Sequence, residues 1–311
     1  MGSFDFYQEN NRRIDGSSSV LSLARAFNRY PDLVDQHAWS LIKPTQNKLT
    51  RQIAKNDNGY LIMIDGHQTT PIQTCFAINQ DYFQQVVHNL IIVKAGVKRV
   101  INTQCQSNDC REATHLSLTE IFLEEGAQLD LTMTHCWERS TQVRPLTLVR
   151  MAAHSVFNYN YVCQQSPRSL VTNPIVQMVG HGAKFTSMTS LLATTGSIID
   201  LGGRAIMRAD NQSTQIVSKV VSRGGRVVSR GEIIAYGASK GHVECDGLML
   251  ESSGSITSIP IIKDACGRAE LSHEAAIGKI NPKEIEYLMT RGLSRELVIR
   301  LLVEGFMSLD T

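Results

Sequence analysis

The chain has 311 residues, and its 31 lysines and arginines against 29 aspartates and glutamates give a formal net charge of +2. A charge this close to neutral argues against a polybasic nucleic-acid binder, and no apolar run approaches the ~18 residues of a membrane-spanning helix. Residues 1–10 lack the basic and apolar segments of a secretory signal. We therefore expect a cytoplasmic protein with neither nucleic acid nor membrane as a partner.

The first region, residues 1–58, is predicted to be helical. Apolar residues such as Leu23 and Phe27 fall near helical spacing, and the serines Ser17 to Ser19 offer N-caps ahead of them. Two prolines interrupt the region further on. Together these features predict two or three short helices followed by a loop.

The second region, residues 59–278, carries a weak internal repeat. Gly126 and Ala153 begin a series of turn residues that continues at about half their spacing, every 13 to 16 positions. The later members are Gly182, Gly196, Asn211, Gly225, Gly241, Gly254 and Gly267. A turn about every fourteen residues, with strand between, is typical of a solenoid whose coils each contain two half-turns, or about 28 residues.

Alternation of apolar and polar residues supports strands in this region. One strand would carry Phe157, Tyr159 and Tyr161 on a single face. An earlier strand alternates in the same way, with apolar positions at Ala127, Leu129, Leu131, Met133 and Trp137. Almost no helical pattern interrupts residues 120–272, which argues against βαβ units. The predicted fold is mainly β, a parallel β-helix, and the regular turn spacing favours it over a β-sandwich.

The third region, residues 279–311, is predicted to contain two helices. Asn281 can cap the first, which Gly292 ends, and Ser294 can cap the second, which Gly305 ends. Solenoids need their ends covered, so capping is one interpretation of this helix pair. Docking to a partner protein is the other, and the residues alone do not separate the two.

Candidate site residues cluster near the end of the proposed solenoid, in segments 242–246 and 270–274. Cys245 and Glu274 are 29 positions apart, close to one coil, and His273 precedes Glu274. Neighbouring strands lie roughly 4.8 Å apart, so Cys245 is predicted within about 10–12 Å of both residues. A thiol, an imidazole and a carboxylate can bind a metal, form a nucleophilic Cys–His pair, or simply pack. These alternatives remain open from spacing alone.

The remaining cysteines suggest no disulfide framework. The count of seven is odd, and there is no CxxC pair. His135 and Trp137 share the apolar parity of their strand and are predicted to lie in the core. No role is assigned to Cys75, Cys105, Cys110, Cys136, Cys163 and Cys266. Phosphate-binding loops of the GxxxxGK[ST] type are also missing, so the chain is not expected to bind a nucleotide by itself.

Segments 241–250, 271–280, 286–294 and 305–306 resemble the SufB/SufD family, the scaffold components of the SUF iron–sulfur cluster assembly machinery. The most specific stretches read His-Glu-Ala…Gly-Lys-Ile and Tyr-Leu-Met-Thr-Arg-Gly-Leu. The resemblance extends over about residues 60–307. It implies a right-handed parallel β-helix with helical regions at both ends, and an assembly scaffold rather than an enzyme.

The resemblance also implies partners. The ABC-type ATPase SufC would dock on the C-terminal helices, and a second SufB/SufD-like subunit, most simply a second copy, would pair through the β-helix end. A sulfur donor and apo-protein acceptors complete the set, and a transient iron–sulfur cluster would form at the subunit interface. The ATPase-docking positions are Glu286, Tyr287, Leu288, Arg291, Gly292 and Leu293.

Three site residues are carried over from the family by position. Cys245 matches the interface cysteine, Glu274 a carboxylate implicated beside it, and His273 the neighbouring histidine. The acid after His273 favours the SufB type, although Ser272 stands where many SufB proteins carry another acid. The implied mechanism is conformational: ATP-driven closure of two SufC subunits shifts the C-terminal helices, opens the interface and exposes Cys245.

Two other functions are considered. The chain could be a cofactor-free interaction subunit that docks the ATPase while a paired subunit holds the cluster. It could also be a solenoid hydrolase acting on polysaccharide, but that class usually shows paired acids in its strands. The aspartates of this region are instead scattered, at Asp200, Asp210, Asp246 and Asp264.

Overall fold

The computed structural model describes residues 18–56, 58–67 and 70–308. Ser17, a candidate N-cap, and residues 1–10, the segment without a secretory signal pattern, lie outside these ranges. No helix within the described ranges is long and apolar enough to cross a membrane. The helices are α1 Leu23–Arg29, α2 Pro31–His37, α3 Lys48–Ile53, α4 Pro282–Met289 and α5 Arg295–Met307.

Strands dominate the described residues, and about 54% of the chain is strand. In chain order the strands are β1 Ser18–Ser22, β2 Tyr60–Ile64, β3 Ile72–Ile78, β4 Gln84–Val93, β5 Lys98–Ser107, β6 Thr114–Leu123, β7 Gln128–Cys136, β8 Gln142–Met151, β9 Val156–Gln165, β10 Ser169–Thr172, β11 Ile175–Met178, β12 Lys184–Thr194, β13 Ile198–Met207, β14 Ser213–Arg223, β15 Arg226–Ala235, β16 Lys240–Met249, β17 Ser255–Asp264 and β18 Glu270–Lys279.

These strands form two sheets that face each other across one core. Sheet A runs β1-β2-β4-β6-β8-β10-β13-β15-β17, with β11 continuing the line of β10, and sheet B runs β3-β5-β7-β9-β12-β14-β16-β18. Successive strands therefore alternate between the sheets, and each pair makes one coil. Paired strands after β1 are parallel, and register partners lie between 27 and 30 positions apart. The predicted parallel β-solenoid is confirmed, with about 7 turns.

Side-chain alternation builds the core as the sequence predicts. In β7 the apolar positions Leu129, Leu131 and Met133 are buried between the sheets, and the polar positions between them face outward. The aromatic rings of Phe157 and Phe185 stack on adjacent coils, 5.7 Å between centroids. His135 and Trp137 are buried as predicted, and all seven cysteines are free thiols.

Two of the predicted positions differ in the structure. Gly241 lies inside β16 rather than in a turn. A Cβ at that position would come within 2.9 Å of the Leu271 side chain on the next coil and 3.1 Å of the Ile233 side chain, so a larger residue would require these side chains to shift. Gly305 does not end the last helix, which continues to Met307.

The N-terminal region covers one end of the solenoid. β1 pairs antiparallel with β2, and Ser22, rather than the earlier serines, caps α1. Helices α1 to α3 and the chain between α2 and α3 pack on the outward face of β4 and β6. Almost every position of those two strands is therefore buried, on the core side by the solenoid and on the outward side by the helices.

The C-terminal helices do not cover the other end. α4 begins two residues after β18, and α5 then lies against the outward face of sheet B. There Ser190 Oγ donates a hydrogen bond to the Met307 carbonyl at 2.9 Å, and Lys219 Nζ donates one to the Ser308 carbonyl at 2.7 Å. These contacts lie on β12 and β14, so the helix pair folds back along the solenoid.

Candidate site at the open end of the solenoid

The last coil, β17 and β18, forms what we call the open end. Within the described residues, no strand pairs with the outer edge of either. Their core-facing side chains are therefore exposed or only half-buried, since no further coil lies above them. From the register with β15 and β16, these side chains are Ile256, Ser258, Pro260 and Ile262 of β17 and Leu271, His273, Ala275 and Ile277 of β18.

Cys245 lies one coil beneath this surface. It is in the middle of β16 and faces the core, with only 2% of its surface exposed. Its register partners are Ser218 on β14 and Ala275 on β18. The layer that separates this thiol from the open end therefore contributes only a methyl group directly above it.

His273 and Glu274 lie on the strand that stacks on β16. Glu274 is the register partner of Glu244, the residue before Cys245 in β16. The Cα atoms of Cys245 and Glu274 are therefore about 6 Å apart. Because side chains alternate along a strand, Glu274 points outward while Cys245 points to the core. His273 is the register partner of core-facing Val243 and shares the face of Cys245. The structure thus groups the thiol with the imidazole and places the acid on the other side of the sheet.

The outward face of the same strands carries a polar cluster. His242 Nδ1 lies 2.9 Å from Ser272 Oγ, and His242 Nε2 lies 3.8 Å from Glu244 Oε2. Partial burial raises the pKa of Glu244; the nearby Asp246 and, more weakly, Glu274 also raise it, while His242 opposes the shift. Three carboxyl groups and one imidazole therefore share this face beside the open end.

The arrangement is not a preformed metal site. In the described ranges no three His, Cys, Asp or Glu side chains are grouped so that they could hold a metal ion. Thiolate is the preferred protein ligand for iron in clusters, and Cys245 is a free thiol. In this arrangement the chain offers one thiol beneath the open end.

The positions predicted to dock an ATPase lie on α4 and the turn after it. Tyr287 is 57% exposed, and the Arg291 guanidinium lies 5.3 Å from the centre of its ring and donates a hydrogen bond to its hydroxyl at 3.1 Å. Gly292 has a φ of 86°, which allows the tight turn into α5. This group presents an exposed aromatic and a cation on a helix held by Ile285, which is buried.

A family model for the SufBD core domain of the SUF iron–sulfur cluster assembly system matches residues 76–306. The chain belongs to the SufBD family. A SufBD family protein of Archaeoglobus fulgidus, described as an iron–sulfur cluster assembly protein, is 35% identical over 296 residues, which are 94% of this chain and 79% of that protein. SufBD membership supports a role in iron–sulfur cluster assembly.

Two further SufBD relatives show how far the likeness extends. A protein of Methanothermobacter thermautotrophicus is 30% identical over 94% of this chain and 74% of its own length. One of Staphylococcus epidermidis is 30% identical over 76% of this chain and 52% of its own length. The SufBD core match runs from β3 to α5 and thus includes the open end and both C-terminal helices.

Two acids near Glu274 lie in segment 242–246, but they were not assigned to the site from the sequence. Glu244 and Asp246 flank Cys245 directly, and the alternation of the strand was the signal that they share a face with Glu274 rather than with the thiol. Sequence reasoning placed Cys245 and Glu274 together because it counted distance along the coil without the side-chain direction.

Proposed function

We propose that this chain is a scaffold subunit of a SUF-type complex in the cytoplasm, and that it builds a nascent iron–sulfur cluster at an interface between two subunits. The cluster is cargo, which the complex passes to apo-proteins. An ABC-type ATPase of the SufC type binds the C-terminal helices, and a sulfur donor supplies the sulfide. One observation carries the proposal: a free thiol lies one coil beneath an uncovered solenoid end.

The open end is suited to pairing with a second copy. Its two edge strands offer backbone N–H and C=O groups to another strand, which is an arrangement that proteins normally block. Apolar core-facing side chains accompany them: Ile277 is 43% exposed, and Ile256 and Ile262 are half-buried. A two-fold pairing of two such ends would extend both sheets across the interface and bury these side chains.

The burial of Cys245 supports a cycle with a closed and an open state. With 2% of its surface exposed, the thiol is shielded from solvent and from iron. Movement of the C-terminal helices during ATP-driven closure would displace the last coil and expose it. Energy from the ATPase is then used to open a packed layer rather than to drive bond chemistry in this chain.

The ligand set that we propose is Cys245 with His273 and Glu274. His273 already shares the core face with the thiol, whereas Glu274 reaches the same ion only when β18 shifts or turns. Imidazole and carboxylate hold a cluster iron less strongly than thiolate. A mixed set of this kind favours release, which a scaffold that passes on its cluster requires.

The decisive experiment compares two serine variants in the chain purified with its ATPase. Cys245→Ser removes the proposed ligand, and Cys163→Ser removes an equally buried, core-facing thiol of sheet B whose Sγ donates to the Gln165 carbonyl at 3.4 Å. Anaerobic reconstitution with iron and sulfide is followed by visible absorption and by iron and sulfide analysis. We expect a chromophore in the wild type and in Cys163→Ser, and loss of it in Cys245→Ser.

An undiminished chromophore in Cys245→Ser would contradict the proposed ligand. The second candidate function, a cofactor-free subunit that docks the ATPase, is favoured by the opposite directions of Cys245 and Glu274. It predicts a wild-type complex that forms normally with the ATPase but stays colourless under the same conditions.

ATPase docking is tested by a matched pair of tyrosines. Tyr287 and Tyr236 are both exposed and both lie under an arginine, Arg291 and Arg208. Because aromatic hot spots contribute about 2 kcal/mol or more to an interface, Tyr287→Ala is expected to weaken ATPase binding by roughly 30-fold. Tyr236→Ala is expected to bind as the wild type does. Equal affinities of the two variants, measured by calorimetry, would place the docking surface elsewhere.

A further inference from the structure

A corner of the solenoid carries a residue in an uncommon backbone conformation. Register partners on successive coils at this corner all have positive φ, between 55° and 70°: they are Gly96, Gly126, His154, Gly182 and Asn211. Glycine and asparagine adopt this conformation easily, whereas a histidine has to bear the cost of its Cβ. His154 is therefore the one member of this column with a ring.

The ring of His154 has room because its neighbours on both coils are glycines. A Cβ at Gly182 would lie 2.7 Å from His154 Nδ1, so the imidazole nitrogen approaches the backbone where no side chain stands. The ring of His181 meets it edge-on, with 5.6 Å between centroids and 75° between planes. The backbones of the two histidines are joined by a hydrogen bond from the His154 N–H to the His181 carbonyl at 2.8 Å.

A third polar side chain completes the group on the next coil. Asn211 Nδ2 lies 3.3 Å from His181 Nε2. A half-turn of the Asn211 amide about its side-chain bond would present its oxygen, a possible metal ligand, at the same place. Three adjacent coils thus bring two imidazoles and one amide to a single exposed corner.

We propose that His154 and His181 bind a divalent transition-metal ion, with Asn211 as a third ligand and water completing the coordination. Metal–nitrogen bonds of about 2.0–2.1 Å place the centres of two imidazoles bound to one ion roughly 4.5–6.5 Å apart, which includes the observed separation. Imidazole ligands favour Cu²⁺, Ni²⁺ and Zn²⁺ over Mg²⁺ or Ca²⁺. Fe²⁺ binds such ligands more weakly than these ions, which distinguishes this corner from the place of the cluster cargo.

The site is separate from the open end. The two histidines follow β8 and β11, and Asn211 follows β13, whereas Cys245 and Glu274 lie on β16 and β18. Binding at the corner therefore does not depend on the proposed scaffold function, and either can fail without the other.

The test measures Ni²⁺ binding by calorimetry at neutral pH. His154→Gly removes one imidazole and installs the residue that already stands at Gly126 and Gly182, so the fold is expected to be retained. His181→Gln removes the other. We expect one Ni²⁺ per wild-type chain at this corner, and a loss of affinity of roughly tenfold or more in each variant, because one of two strong ligands is gone. Because protons compete with the metal for imidazole nitrogens, nickel binding should weaken as the pH falls.

The control is His67→Gln, which alters another exposed histidine of the described residues, one that accepts the Lys98 N–H at 3.2 Å. It keeps an acceptor there and is expected to bind nickel as the wild type does. Because every variant keeps all seven cysteines, any binding by thiols is common to the whole series. Undiminished nickel binding in His154→Gly, or a wild type that binds no nickel, would overturn the proposal.

Discussion

The two ends of this solenoid are finished in opposite ways. At the N-terminal end, β1 pairs with the edge of β2, and three helices of the same chain cover the outward face of β4 and β6. Within the described residues, the outer edge of β3 has no partner strand. At the C-terminal end, β17 and β18 keep free edges in the described part of the chain, and the two helices that follow turn back along sheet B. The core-facing side chains of the first coil are buried, whereas those of the last coil are exposed or half-buried.

At the N-terminal end, which we call the closed end, a buried acid holds the covering segment in place. Glu120 is fully buried on the outward face of β6, and its carboxylate accepts the backbone N–H groups of Trp39 and Leu41 at 2.7 and 2.9 Å. His88 Nε2 lies 2.8 Å from the same carboxylate. One side chain of the solenoid thus fastens the segment that covers it, and the open end has no contact of this kind among the described residues.

The largest effect on stability is expected from removing the Glu120 carboxylate and its hydrogen bonds. Glu120→Ala would leave the two N–H groups and His88 buried without their partner, and we expect a loss of about 3–5 kcal/mol in the free energy of unfolding. Glu124→Ala is the control, because Glu124 forms a half-exposed pair with Lys94 that contributes at most about 1 kcal/mol. Urea denaturation measures both. Equal losses would show that the closed end does not depend on Glu120.

Acid should destabilise the fold through two buried histidines, one in β6 and one in β7. Burial lowers the pKa of His115 to about 4 and that of His135 well below its usual value. Both rings are neutral in the fold and protonate more readily when the chain unfolds, so their contribution is complete above pH ~6.5 and is lost as the pH falls towards 4. For His115 alone the loss at pH 4.5 is about 2–3 kcal/mol.

The variant His115→Asn isolates this contribution. Asparagine keeps a donor for Gln85 Oε1, which lies 2.8 Å from His115 Nδ1, but it does not titrate. The drop in unfolding free energy between pH 7.5 and 4.5 should shrink by about 2–3 kcal/mol relative to the wild type. Met133→Ala, a nearby core change without a titrating group, should leave that drop unchanged. An equal drop in wild type and His115→Asn would mean that other groups govern the acid response.

The smallest effect on folding, but a clear effect on assembly, is expected at the open end. Ile277→Asp places a charge on the proposed pairing surface and should weaken self-association by roughly tenfold or more, since burying one isoleucine contributes about 1.5–3 kcal/mol. Ile198→Asp changes an isoleucine that is 50% exposed on the outward face of sheet A and serves as the control. Sedimentation velocity over a range of concentrations separates them. Identical dimerisation of the two variants would remove the open end as the pairing surface.

The coil itself was predictable because corners demand special residues. Positive φ at Gly126, Gly182 and Asn211 explains why turn residues recur, and the true offsets of 27 to 30 positions bracket the predicted 28. The series placed one corner at Ala153, and the residue with positive φ there is its neighbour His154. Gly241 was placed at a corner but lies just inside β16, and the actual corner is the preceding segment 236–239. Glycine serves both tight turns and close strand contacts, so composition alone does not separate the two uses.

Side-chain direction at the candidate site was beyond the same reasoning. The coil from β16 to β18 is 30 residues long, so a separation of 29 between Cys245 and Glu274 puts them on opposite faces. A one-residue difference in register reverses every side chain of a strand. The spacing was accurate enough to stack the two strands but not to decide which side chains meet.

The hydrogen bonds of Glu120 to the N-terminal segment could not be predicted from the sequence either. A single acid inside the apolar run of β6 was the only local signal, and its partners at Trp39 and Leu41 are 81 and 79 positions away. The length of α5 was misjudged for a related reason. A helix tolerates an internal glycine at a cost of about 1 kcal/mol, and contacts of Met307 and Ser308 with sheet B support the extra turn.

The short connection between β18 and α4 has a mechanical consequence. Only Ile280 and Asn281 separate the strand from the helix, so the link can stretch to roughly 10 Å and no further. If α4 moves further than this, it pulls directly on Lys279. Because β18 pairs only with β16 among the described residues, its hydrogen bonds to β16 would then break one after another, starting at Lys279. Separation of the last five residues of β18 would include Ala275, the residue stacked on Cys245.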